Sequence, residues 1–144
     1  MWALLAISAS AVWGLTYVLG EQIYKKISVI TSLSLATFIS GFVMLAVAYA
    51  TGYLKKDFIT LTTDRRILGL SIAEAICLML AELLIGFSIA NKNATLAGLI
   101  EISYPLFIAI FAYLIFKESQ VTFSTIIGGL LIFSGVFVIY SFNH

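Results

Sequence analysis

Cysteine, histidine and proline each occur once in the 144 residues, as Cys77, His144 and Pro105, and only 10% of the chain is charged. A single cysteine excludes an intrachain disulfide, and Cys77, inside an apolar run, is expected to be a small buried apolar side chain. The only histidine is C-terminal and the cysteine has no partner nearby, so no metal-ligand cluster emerges. No cofactor is implied. Gly128-Gly129 stands inside an apolar run rather than between a strand and a helix, which removes the context of a phosphate-binding loop. ATP-driven work by this chain alone therefore has no support, and nothing points to an enzyme. The formal charge of +1 is too small for a nucleic-acid partner or a polybasic arm.

What the chain has instead is grease: 62% hydrophobic residues, with far less charge than the roughly 25% of a soluble domain. It is an integral membrane protein. Five apolar segments, about 1–20, 28–53, 67–90, 94–116 and 121–142, are each long enough to cross about 30 Å of hydrocarbon as a helix. No linker or repeat divides them, so residues 1–144 read as one all-α domain. The first segment lacks the basic start and cleavage site of a signal peptide and is read as a span. Alternation puts Lys55, Lys56, Arg65, Arg66 and Lys117 on the N-terminal side and Lys25, Lys26 and Lys92 on the other. Five against three weakly favours a cytoplasmic N-terminus and leaves insertion in both orientations open.

Every lysine and arginine lies outside the spans, whereas Glu74, Glu82 and Glu101 lie inside them. Carboxylates in lipid are expensive and mark function. A rise of about 1.5 Å per residue puts Glu82 about 5 Å past the midplane and Glu74 about 7 Å before it. The same arithmetic puts Glu101 about 6 Å, and Trp13 about 4 Å, from the midplane on the side of Glu82. Ser10, Trp13 and Tyr17 share a helix face by their spacing and are candidates to line a pocket there. Pro105 withdraws the hydrogen-bond donor that the Glu101 carbonyl would otherwise meet, with Ser103 and Tyr104 close enough to offer hydroxyls. The alternative readings are a packing kink at Pro105, an interfacial anchor for Tyr17, and protonated glutamates bonded between helices. Glu118, beside Lys117, marks the end of a span, and Asn91 and Asn93 suit helix capping.

From Asn93 the text NATLAGLIEISYPLFIAIFAYLIFKES, followed by VTFSTIIGGLLIFSGVFVIY, carries Pro105, Glu118, Gly128 and Gly135 in a telling order. It resembles the repeat of the EamA family in the drug/metabolite transporter superfamily. SASAVWGLTYVLGE, with Trp13 and Gly14, resembles that family's opening helix. The resemblance implies a five-helix repeat in the cytoplasmic (inner) membrane of a prokaryote. Family members usually carry two such repeats in opposite orientation, and this chain has one. In transporters built from inverted repeats the site lies at the repeat interface. One copy then makes half a site, completed by an antiparallel homodimer or by a separately encoded half-transporter. Gly128, Ser134 and Gly135 on the last span are the candidate dimer interface, with packing inside the chain's own bundle as the alternative.

Acids and aromatic rings with no compensating base suit a cation, and low dielectric, which favours the neutral carboxyl, suits protons as well. The function expected is secondary transport, exporting a small organic cation, zwitterionic amino acid or similar metabolite in exchange for protons, with Glu82 and Glu101 as the shared site. The alternatives are a subunit of a flippase for lipid or lipid-linked head groups, and a non-transporting assembly or regulatory protein. Phosphate head groups would want basic residues inside the spans, and none occur there. Membrane lipid, the small substrate and protons are the partners implied.

Overall fold

A computed structural model describes residues 1–119 and 121–142. Among them the regular structure is helical throughout, with α1 at Trp2–Tyr24, α2 at Val29–Ala50, α3 at Tyr53–Thr63, α4 at Arg65–Asn91, α5 at Ala94–Glu101, α6 at Tyr104–Phe111 and α7 at Phe123–Phe142. A π-helical turn, Ala112–Phe116, extends α6. Five stretches are long and apolar enough to cross a membrane: α1, α2, α4, the composite Ala94–Phe116, and α7. In hydrocarbon no water satisfies backbone N–H and C=O groups, so helices meet that demand internally.

The helices begin where short polar side chains replace missing backbone acceptors. Ser28 Oγ accepts from Thr31 N at 3.1 Å, and Asn93 Oδ1 accepts from Leu96 N at 2.8 Å. Asp64 Oδ1 takes both Arg66 N and Ile67 N, and Thr122 Oγ1 takes Thr125 N. Three boundaries depart from the sequence expectation. The first helix runs on to Tyr24, past the charge at Glu21, because Glu21 and Lys25 pair at 3.8 Å one turn apart and extend the helix into the polar layer. The segment expected as a polar loop between the second and third spans is the helix α3. The fourth span is interrupted at Ile102–Ser103, where Pro105 enters the first turn of α6 and its missing donor is not needed.

The chain divides into two compact units, one of residues 1–19 with 91–144 and the other of residues 20–90. In the first unit α5 packs on α7, and Ala94, Ala97 and Gly129 are buried. A Cβ added at Gly129 would lie 2.5 Å from Leu106 Cδ2, so the leucine of α6 sits against bare backbone. In the second unit Val29, Ile89, Gly20 and Gly86 are buried, and Gly86 receives Val29 Cγ1, which an added Cβ would meet at 2.7 Å. Small residues take these positions because lipid is as apolar as leucine, and close backbone approach rather than the hydrophobic effect joins membrane helices. Cys77, expected to be buried, is exposed. Inside a span lipid solvates an apolar side chain as well as protein does, so apolarity there does not imply burial.

Candidate functional site

Helix α1 presents Trp13 and Tyr17 one turn apart, with ring centroids 5.8 Å apart and planes tilted by 53°. The Tyr17 hydroxyl donates to Glu101 Oε2, joining the first span to the last residue of α5. Both partners are half-buried. Gly98, one turn before Glu101, makes this approach possible: an added Cβ would sit 3.3 Å from Tyr17 Cδ2. The phenol ring therefore lies along glycine backbone and reaches the carboxylate over it. Immediately after Glu101 the helix breaks, with Ile102 N donating to Gly98 O and Ser103 N to Ile100 O. An indole, a phenol and a carboxylate thus stand together where the fourth span is interrupted. That set can hold a positive charge by direct pairing and by attraction to ring faces, or hold a proton on the carboxyl.

Glu82 belongs to the other unit and has its own surroundings. It is half-buried on α4, within electrostatic reach of Tyr24. The Tyr24 hydroxyl would lie 3.4 Å from a Cβ added at Gly86, one turn beyond Glu82, and the Tyr24 ring folds back over Gly20. Tyr24 was not among the residues expected at a site. It stands seven positions after Tyr17 on the same helix, and that spacing was the available signal.

The remaining candidates are placed as follows. Ser10 is exposed and its hydroxyl donates to Ala6 O on its own helix at 3.1 Å. Glu74 is exposed on α4. Ser103 is half-buried in the break, while Tyr104 and Pro105 are exposed at the start of α6. Beyond its own helix backbone, nothing among the described residues comes within 4 Å of a Cβ added at Gly128 or Gly135, and Ser134 Oγ donates to Leu130 O at 2.8 Å. Close contact within the chain falls on the neighbouring Gly129 instead. Asn93 caps α5. Among the described residues no group of histidine, cysteine, aspartate and glutamate could hold a metal ion, and His144 lies outside them.

The family model for EamA-like transporters matches residues 1–141, which takes in four spans and all but the last residue of the fifth. The chain belongs to the EamA-like transporter family. Membership makes this EamA protein an integral membrane transporter of the drug/metabolite type. No curated protein and no solved structure matches it.

Proposed function

We propose that the chain is one half of a secondary transporter that exports a small organic cation, a zwitterionic amino acid or a similar metabolite in exchange for protons, working as an antiparallel pair of copies inserted in opposite orientations. The observation that carries this reading is the Tyr17–Glu101 hydrogen bond with Trp13 beside it, at the interruption of the fourth span. A carboxylate bonded by one hydroxyl keeps acceptor capacity for a substrate cation or for a proton. Occupancy by one excludes the other at Glu101, and the same competition operates at Glu82 beside Tyr24. Exchange follows when the site opens to the two sides in turn. The absence of lysine and arginine from the spans disfavours phosphate-bearing cargo. Open space over Gly128 and Gly135 leaves room for the last helix of a second copy.

The test is flux into proteoliposomes under an imposed pH gradient, using ethidium as an organic cation and neutral amino acids as zwitterions. Gradient-driven flux of at least one class is expected from the native chain. Glu101→Gln is expected to reduce it by about tenfold or more, the scale of one charged contact, with a loss in Glu82→Gln as well. Flux indifferent to both substitutions and to the gradient would overturn the proposal.

A further inference from the structure

Helix α3 has no part in the transport reading, and none of its residues is buried. It is tied at both ends to membrane-spanning helices, since α2 ends at Ala50 and α4 begins at Arg65. Gly52, at φ 77°, turns the chain straight from α2 into α3 in a left-handed conformation that glycine adopts without strain. With so little chain at either end, α3 stays at the level where the two spans leave the hydrocarbon. Its 11 residues extend about 16 Å.

Its two faces differ. Leu54, Phe58 and Leu61 fall on one side by their four- and three-residue spacing, with Asp57 at its edge, and Lys56, Thr60 and Thr63 fall on the opposite side together with the apolar Ile59. Phe58 is 64% and Leu54 36% exposed, while Leu61 is half-buried. The threonine hydroxyls at 60, 62 and 63 donate to carbonyls of their own helix, which satisfies the last turn without a tertiary partner. Lys55, Lys56, Arg65 and Arg66 are four of the chain's eight basic residues. Among the described residues none of the four has an ion-pair partner. Arg65 and Arg66 also stand in the first turn of α4, where no acidic residue accompanies them and the helix dipole disfavours positive charge. Asp64 caps the helix, with Oδ1 accepting from the backbone at Arg66 and Ile67, and together with Asp57 it offsets two of the four positive charges, leaving the segment net positive. An apolar face bordered by unpaired cations at the membrane surface complements the interface of a bilayer bearing negative charge.

We propose that α3 is an anchor lying in the plane of the bilayer interface, with Leu54, Phe58 and Leu61 among the lipid chains and Lys55, Lys56, Arg65 and Arg66 on the phosphates of anionic lipid head groups. The bilayer supplies this ligand. The binding is peripheral to transport and independent of the cargo.

The full chain, with Cys77→Ser, is labelled with an environment-sensitive fluorophore at Leu61→Cys or at Thr60→Cys. It is reconstituted in phosphatidylcholine vesicles containing spin-labelled phosphatidylglycerol or spin-labelled phosphatidylcholine at equal mole fraction. The expected result is blue-shifted, lipid-quenched emission at 61 and water-like emission at 60, with stronger quenching by the anionic quencher. That excess is expected to vanish at high salt in the otherwise unaltered chain, and to vanish in Lys55→Gln/Lys56→Gln/Arg65→Gln/Arg66→Gln. Water-like emission at both positions, equal quenching by the two lipids, or an excess that survives either salt or neutralisation would overturn the proposal. Flux is measured on the same vesicles, so loss of anchoring is read separately from loss of transport.

Discussion

Tyr17 and Tyr24 stand seven residues apart on one helix, and each approaches a glycine on another helix near a glutamate, yet the two glutamates are held differently. Tyr17 donates directly to Glu101, with Trp13 against its ring and the end of α5 beneath it. Tyr24 is bent over Gly20, with its hydroxyl beside Gly86 and, among the described residues, no direct hydrogen bond to Glu82. The glycine seats also differ. Gly98 takes a flat ring edge so close that an added Cβ would meet it at a tight 3.3 Å, whereas Gly86 takes the branched Val29 side chain at 2.7 Å, a distance no Cβ tolerates. A tyrosine, a glycine and a glutamate in proximity therefore do not define one kind of site. What separates them is whether the tyrosine is aimed at the carboxylate or packed against its own helix.

The largest effect that breaks this comparison is expected at Gly86. Gly86→Ala forces its new Cβ against Val29, whose branching leaves it little freedom to move, and is expected to destabilise the second unit by about 1–3 kcal/mol. Gly129→Ala meets only the far end of Leu106. Its expected change is under about 1 kcal/mol, because leucine can rotate and alanine gains helix propensity. Thermal unfolding in matched detergent checks the pair. Removing the hydroxyls comes next. Tyr17→Phe strips Glu101 of its donor and is expected to slow gradient-driven flux about tenfold, a net of about 1.4 kcal/mol for a hydrogen bond to a charged group. Tyr24→Phe, with no such bond to lose, is expected to change flux by less than about threefold. Equal effects would erase the distinction between the two glutamates. The smallest effect on the isolated chain is expected from Gly135→Leu, since among the described residues nothing beyond its own helix backbone lies within 4 Å of its added Cβ. Its stability should move by less than about 0.5 kcal/mol, while cross-linking between copies is lost if that face meets a partner helix.

The five spans were legible because each is an apolar run longer than any soluble helix needs, and the family was legible from the order of Pro105, Glu118, Gly128 and Gly135. Trp13, Tyr17 and Glu101 were legible as chemistry, since an acid and deep aromatics in lipid stand out from their surroundings. Tyr24 was not, because the charges at Glu21, Lys25 and Lys26 look like the end of a span. The helix passes Glu21 and ends at Tyr24, just before Lys25, which pairs back with Glu21. Helix α3 was hidden by composition. Four aliphatic or phenylalanine residues in eleven, Leu54, Phe58, Ile59 and Leu61, register as polar to a window sized for a span, although three of them recur at helical spacing. The choice between Gly128 and Gly129 was a matter of rotation: neighbours on a helix point about 100° apart, and only packing decides which meets Leu106. For Ser10 the hydroxyl turned to its own helix, a bond that no spacing argument reveals.

The π-helical turn at Ala112–Phe116, closed by Glu118 N donating to Ala112 O and by Lys117 at φ 60°, gives the fourth span a reserve of chain length at one end. Such a turn holds one residue more than the α repeat requires. Loss of a residue there would be absorbed by tightening, with Tyr17 and Glu101 still facing each other. Loss of a residue within Ala94–Glu101 would swing the carboxylate about 100° around its axis and separate them. The span's two ends thus differ in what evolution can do to them: one is free to lengthen or shorten, the other is pinned to its register by a single hydroxyl.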